Sequence, residues 1–223
     1  MGLLSRSEIR CLYDRTAPIY DWALFAYRLL GVQAQRRTLI RMANIRSGDT
    51  VIDLGCGTGA NFPFLVHAVG PQGRIIGIDL STSMLERARA LVDRKGWSNV
   101  DLIQGDIAEA PNRFEFDAAI AAFALEMVPD YSEVIATIAR RLPPGGRLAS
   151  IGLKHPDRWP GWLVDFAIAI NKPFGVSRDY QDVAPWQAMD SHLHDVTFQE
   201  LWWGAGYRCV GTGRSLGTAV ATA

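Results

Sequence analysis

Residues 51–59, Val51-Ile52-Asp53-Leu54-Gly55-Cys56-Gly57-Thr58-Gly59, are an apolar run carrying one acid that breaks directly into glycines at alternate positions. The run is short, continuous and bounded by a turn signal, which predicts a strand feeding a loop. Glycines at every second position let that loop take backbone angles closed to other residues and allow a ligand to lie against the main chain. Twenty residues beyond Gly59, a second run, Arg74-Ile75-Ile76-Gly77-Ile78, ends on Asp79. An acid at the tip of the second strand is where a ribose-binding carboxylate sits in doubly wound sheets. Strand, glycine turn and second acid together predict an α/β fold with a nucleotide or nucleoside site.

The glycine spacing narrows the ligand. A dinucleotide fingerprint reads G-x-G-x-x-G, whereas the third glycine here comes one residue early, at Gly59, and Ala60 stands where a pyrophosphate loop wants glycine. Residues 53–61 hold no Lys or Arg, and they do not match the G-x-x-x-x-G-K-[ST] phosphate loop. A ligand without phosphates, but with a ribose and a cationic centre, fits better.

Working outward, residues 1–48 are expected to form one or two helices, the second from Ala34 to Ala43, before Arg46-Ser47-Gly48-Asp49 turns into the first strand. Pro63 suits the start of the helix after the glycine loop, where its missing N–H costs little. Ser81 is placed to cap the helix carrying Met84 to Leu91. Strands are expected near 100–104, 117–122 and 147–153, with Tyr131 to Leu142 helical between the last two. A last helix is expected over Thr197 to Gly204, then a terminal hairpin over Tyr207 to Arg214 and Gly217 to Ala221. The alternation implies a parallel sheet with helices on both faces and ligands at the carboxyl ends of its strands.

Four blocks recur in one order: Asp53 to Gly59; Asp79; Gly105-Asp106-Ile107; and Phe116 to Phe123 followed by Arg141-Leu142-Pro143-Pro144-Gly145-Gly146-Arg147-Leu148. On these, from about Tyr13 to about Ser150, the chain resembles the class I S-adenosylmethionine-dependent methyltransferases. The resemblance implies a Rossmann-like fold: a mostly parallel seven-stranded sheet with helices on both faces and an antiparallel terminal hairpin. It implies a single domain over 1–223, divided into an N-terminal helical lid (1–48), a cofactor-binding core (49–153), a substrate-covering insert (154–195) and a last helix and hairpin (196–223). S-adenosyl-L-methionine is the implied cofactor and S-adenosyl-L-homocysteine the product. In such relatives the glycines pass under the methionine part, the acid matching Asp53 helps hold its amino group, that matching Asp79 takes the ribose hydroxyls, and that matching Asp106 meets the adenine amino group. The implied contacts are Tyr13, Tyr20, Asp53, Gly55, Cys56, Gly57, Thr58, Gly59, Asn61, Asp79, Leu80, Met84, Asp106, Ile107 and Phe123.

A narrower likeness lies upstream. Tyr13-Asp14-Arg15-Thr16-Ala17-Pro18-Ile19-Tyr20-Asp21 is similar to the segment that opens the ubiquinone/menaquinone C-methyltransferases and the soluble bacterial phospholipid N-methyltransferases. There the aromatic pair closes over the cofactor. Tyr13 and Tyr20 would share one face of a helix, which suits core packing as well.

Composition fits one compact α/β enzyme: 223 residues, 48% of them apolar. Cys11, Cys56 and Cys209 are scattered, so neither a disulfide framework nor a C-x-x-C metal site is indicated, and Cys56 reads as a small side chain tolerated in the loop. The formal net charge is zero, which argues against a nucleic-acid partner. Residues 1–48 are nonetheless basic, with eight Arg against three acids. With no signal-type start and no run near the roughly 20 apolar residues of a membrane span, a cytoplasmic protein is expected. The stretch Trp22-Ala23-Leu24-Phe25-Ala26-Tyr27, beside Arg28, Arg36, Arg37 and Arg41, leaves peripheral contact with an anionic membrane as an alternative.

Methyl transfer from a sulfonium is an in-line displacement by a nucleophile on an already activated methyl, so the protein mainly positions the reactants and excludes water; no metal is needed. A general base is required only where the acceptor loses a proton. Candidates are His155 after the fifth strand, Glu126 just past the fourth, and His192 or His194 in the insert. Glu126 and Met127 stand where many small-molecule methyltransferases place a His or Asn. The insert, with Trp159, Trp162, Trp186 and the run Trp162 to Ile170, reads as a substrate cover or as a helix capping the sheet. Trp202-Trp203 reads equally as substrate wall or core. The expected function is methylation of a small or lipidic acceptor: a quinol, a phospholipid amine or a secondary metabolite. The alternatives are an NAD-dependent oxidoreductase and a non-catalytic cofactor-binding protein.

Overall fold

The computed structural model describes residues 31–171 and 182–213. Strands β1 (Thr50–Leu54), β2 (Arg74–Asp79), β3 (Val100–Gln104), β4 (Ala118–Ala122) and β5 (Arg147–Leu153) run parallel. β7 (Gly206–Thr212) is antiparallel to β5, and β6 (His194–Leu201) is antiparallel to β7. The order is β3-β2-β1-β4-β5-β7-β6, so the sheet has seven strands and its winding reverses between β1 and β4. Open α/β sheets bind ligands at the carboxyl ends of the strands beside such a reversal.

The strands read as continuous apolar runs because both sheet faces are covered. Successive residues then divide between two cores. Val51, Ile75, Ala118 and Ile120 pack on one face; Ile52, Ile76, Ala119 and Ala121 pack on the other. β4 is almost all alanine and wholly buried, which brings the covering helices close to the centre of the sheet.

The first face is covered by α1 (Val32–Met42), α2 (Phe62–Val69) and α3 (Thr82–Lys95), through Leu39, Phe62, Leu65, Ala88 and Val92. Pro63 occupies the first turn of α2. The Ser81 side chain accepts from the Met84 N–H at 3.2 Å to cap α3, and α3 ends at Gly96 in the left-handed region (φ 67). The other face carries the short α4 (Ala110–Arg113), α5 (Tyr131–Arg141) and α7 (Pro185–His192), with Val134, Ile135, Ile138 and Met189 in the core.

The C-terminal part corrects the expectation from sequence. Residues 197–201 belong to strand β6, not a helix, and only Trp202–Gly204 forms a 3₁₀ turn. The antiparallel hairpin therefore lies one strand upstream, His194–Leu201 with Gly206–Thr212. β6 is an edge strand exposed along most of its length, so its side chains show no alternation; the ladder to β7 imposes its conformation. Gly217 to Ala221, Tyr13, Tyr20 and Trp22 to Tyr27 lie outside the described residues.

The described residues of the stretch 154–195 form two unlike helices. α7 is sheet-capping core, whereas α6 (Gly161–Asn171) buries no residue and leaves Trp162 72%, Phe166 60% and Ile170 56% exposed along one stripe.

Candidate cofactor site

The loop after β1 puts Gly55, Gly57 and Gly59 at φ 66, 54 and 82, conformations that favour glycine. Two of them also make room. A Cβ on Gly55 would lie 2.5 Å from the Ala124 Cβ, and one on Gly59 would lie 2.5 Å from the Phe62 ring. Gly55 thus admits the segment after β4, and Gly59 admits α2. Nothing lies within 4 Å of a Cβ built on Gly57, which faces the cleft.

Asp79 ties this loop to α3. Its Oδ2 accepts from the Gly57 N–H at 2.8 Å and its Oδ1 from the Ser81 N–H at 2.9 Å. Asp106 Oδ1 accepts from the Ala108 N–H at 2.9 Å and so fixes the turn after β3. Both acids border a cleft of about 900 Å³, open mouth included, at the carboxyl ends of β1, β2, β3 and β4.

Of the contacts expected from sequence, Gly55, Gly57, Asp79, Leu80, Met84, Asp106, Ile107 and Phe123 line this cleft together. Asp53, Cys56, Gly59 and Asn61 are buried behind it, and Thr58 is half-buried in the loop. The Cys56 thiol is buried and pushed well up, first by desolvation and then by Asp79 and Asp53, which leaves it inert. Met127, Val128 and Pro129 add an apolar wall that the sequence motifs do not reveal.

Behind the loop, Asp53 is fully buried. Its Oδ1 accepts from Asn61 Nδ2 at 2.9 Å, and its Oδ2 has no hydrogen-bond partner among the described residues. Burial pushes this carboxyl up to about 7; Asn61 and Arg36 pull it down, and Asp79 adds to the rise. Asn61 Oδ1 in turn accepts from Arg36 Nη1 at 2.6 Å. The Arg36 guanidinium lies 5.2 Å from the centre of the Phe123 ring, and Phe123 stacks on Trp202 at 6.2 Å. Arg36 is a further residue that a motif-based reading does not place here. Trp202 packs with Phe123 against the core of the first face, whereas Trp203 is 86% exposed.

The candidate bases fall elsewhere. Glu126 is buried with its carboxyl in the space left by Gly152, where an added Cβ would come within 1.3 Å of Oε1. The Tyr207 hydroxyl is within its hydrogen-bonding reach and is itself 3.1 Å from Ser150 Oγ. Desolvation pushes Glu126 up to about 7. It points beneath the cleft and does not border it. His155 is half-buried two residues past β5, on the same edge of the sheet but outside the cleft lining. His194 pairs with Thr212, which pairs with Arg147 at the start of β5, so it sits at the opposite edge; His192 closes α7 two residues before it.

The residues fit the cofactor that the motifs imply. One acid stands at the tip of β2 for ribose hydroxyls, Asp106 and Ile107 stand after β3 for the base, and the buried Asp53 oxygen without a partner suits an ammonium.

Residues 45–164 match the family described as Methyltransferase domain. The demethylmenaquinone methyltransferase of Listeria welshimeri is 32% identical over 158 residues, covering 70% of this chain and 66% of that protein. The chain thus spans just under two thirds of that relative's length. The 2-phytyl-1,4-naphtoquinone methyltransferase of Trichormus variabilis is 26% identical over 187 residues, 80% of this chain and 82% of that protein. Among solved structures, a SAM-dependent methyltransferase from Aquifex aeolicus has the same fold, with a TM-score of 0.60 at 18% identity over 95% of this chain and 100% of that one. None of these matches supports an NAD-dependent oxidoreductase. The chain belongs to the family described as Methyltransferase domain and has the fold of a SAM-dependent methyltransferase.

Proposed function

We propose that the protein transfers a methyl group from S-adenosylmethionine to a small lipidic acceptor of the quinol type. The observation that carries this reading is the division of the cleft. Asp79 and Asp106 supply polar groups at the cofactor end, while Phe123, Met127, Val128 and Pro129 make an apolar wall beside them. A planar, greasy acceptor is suited to that wall, which Asp130 bounds at its end. The two related proteins carry the names of quinone methyltransferases, which supports the same acceptor class.

The bound cofactor supplies an electrophilic methyl on a sulfonium. The chain's own part is positional. Asp79 and the glycine loop hold one end of the ligand, Asp106 and Ile107 the other, and the aromatic and aliphatic wall keeps water from the reacting atoms. His155 is the remaining candidate for taking a proton from the acceptor, from its place on the same edge of the sheet.

A labelled-methyl screen over demethylated quinols, phospholipid amines and phenolic metabolites tests the proposal. Label in the quinol fraction is expected. Label confined to phospholipid amines or to phenolic metabolites would replace the quinol acceptor with one of those.

A further inference from the structure

We infer that Arg36, outside every motif, is a positioning residue for the methionine end of the cofactor, keeping Asp53 ionised through Asn61 so that it can hold the ligand's ammonium. The inference rests on the S-adenosylmethionine reading of the site.

Arg36 lies on the apolar stripe of α1, between Val32 and the pair Leu39 and Ile40, and is 4% exposed. A guanidinium is rarely buried unless it is paired, so its position is a structural cost that needs a counterpart. Among the groups it meets are the Asn61 amide oxygen and the face of Phe123. Arginine only donates, so the Asn61 oxygen must turn toward it, and the Asn61 NH₂ must then turn the other way. That NH₂ reaches Asp53 Oδ1. The amide thus works as a one-way relay: it offers Asp53 a donor, which favours the carboxylate over the acid.

The other groups facing Asp53 push in the opposite sense. Asp79, at the end of β2, repels its charge, and the Cys56 thiol from the glycine loop is buried beside it without ionising. Burial is the largest influence and leaves the carboxyl poised near neutrality even with Arg36 in place. Without Arg36 the carboxyl would be pushed further up, and the protonated acid cannot pair with an ammonium. A neutral Asp53 would leave the ribose and adenine contacts untouched, so the effect is confined to the amino-acid end of the ligand.

The test is calorimetric titration of the full chain between pH 5.5 and 8.5 with two probes. S-adenosylhomocysteine carries the amino-acid end; 5′-methylthioadenosine lacks it. Arg36→Gln should weaken S-adenosylhomocysteine about fivefold at pH 7, the effect of moving the acid by about one pKa unit from a starting point near neutrality, and should shift the midpoint of its pH profile upward. Binding of 5′-methylthioadenosine should stay within about twofold, and Arg36→Lys should restore most of the loss. Asn61→Leu, which cuts the relay with Arg36 in place, should reproduce the shift and keeps the idea testable if Arg36→Gln does not fold. An unmoved pH midpoint with both probes weakened alike would make Arg36 a packing residue and overturn the inference alone. Failure of the unaltered protein to bind S-adenosylhomocysteine at any pH would overturn the cofactor reading beneath it.

Discussion

Gly152→Ala isolates one contact from the rest of the fold. The new methyl carbon would lie 1.3 Å from Glu126 Oε1 and 2.4 Å from its Cδ, so the carboxyl must leave its place. It has nowhere close to go, because Gly152, Glu126, Tyr207 and Ser150 are all buried. Overpacking of this kind costs about 1–3 kcal/mol. Separating the carboxyl from the Tyr207 hydroxyl adds a further 1–3 kcal/mol or so. A loss of about 4 kcal/mol in urea denaturation is expected, read as a lower midpoint at unchanged slope. Glu126→Ala alone should cost less, about 1–3 kcal/mol for the lost side chain. In the double variant the methyl introduced at position 152 would occupy space the carboxyl vacated, so the two losses should fall short of additivity by about 2 kcal/mol. A Gly152→Ala cost under about 1 kcal/mol, or two losses that sum to within about 0.5 kcal/mol, would refute this account of how the turn after β4 is seated.

Three further outcomes are expected. Asp79→Ala removes the acceptor of the Gly57 and Ser81 N–H groups as well as the ribose carboxylate, and should weaken S-adenosylmethionine at least about tenfold by calorimetry; an unchanged dissociation constant would count against the site. Glu126, raised from 4.5 to about 7 by burial, contributes stability that is full below about pH 4.5 and fades as pH rises to 7. The stability of the native protein relative to Glu126→Gln should therefore fall by on the order of 3 kcal/mol across that interval in denaturant melts, and a flat difference would contradict the burial argument. Ser81→Ala should lower stability by about 1 kcal/mol through loss of the cap on α3, measured as a shift in urea midpoint, whereas no shift would mean that the 3.2 Å contact contributes nothing.

The cofactor half of the molecule is legible in the sequence because its signals are local. β1, β2 and β4 are continuous apolar runs, a pattern that parallel strands buried on both faces require, and the glycine loop and Ser81 cap follow from short-range geometry. β6 is not legible. Phe198, Gln199 and Glu200 alternate nothing, since both faces of an edge strand meet solvent, and only the ladder to Cys209, Arg208 and Tyr207 fixes them. Nor does proximity in sequence to a strand end say where a side chain points. Glu126 follows β4 yet turns under the sheet toward Gly152, because the missing Cβ there opens a space that no single-chain pattern reveals. Arg36 does carry a readable mark: a cation at the position of an apolar stripe where Val32 and Leu39 have hydrophobic neighbours. That mark shows burial but not the partner twenty-five residues away that explains it.

The placement of β7 between β5 and β6 has a consequence for the order in which the chain can be completed. A growing polypeptide presents β6 before β7, yet β6 pairs with β7 and not with β5. Until Gly206–Thr212 arrives, β5 is an open sheet edge, the Glu126 carboxyl lacks the Tyr207 hydroxyl, and the turn that carries Trp202 against Phe123 has no second limb. Emergence of the last described strand therefore closes the β5 edge, brings the Tyr207 hydroxyl to Glu126 and seats Trp202 against Phe123 in a single docking event. Any chain halted before residue 206 would expose a five-stranded sheet with a free β5, a ready template for pairing with its neighbours.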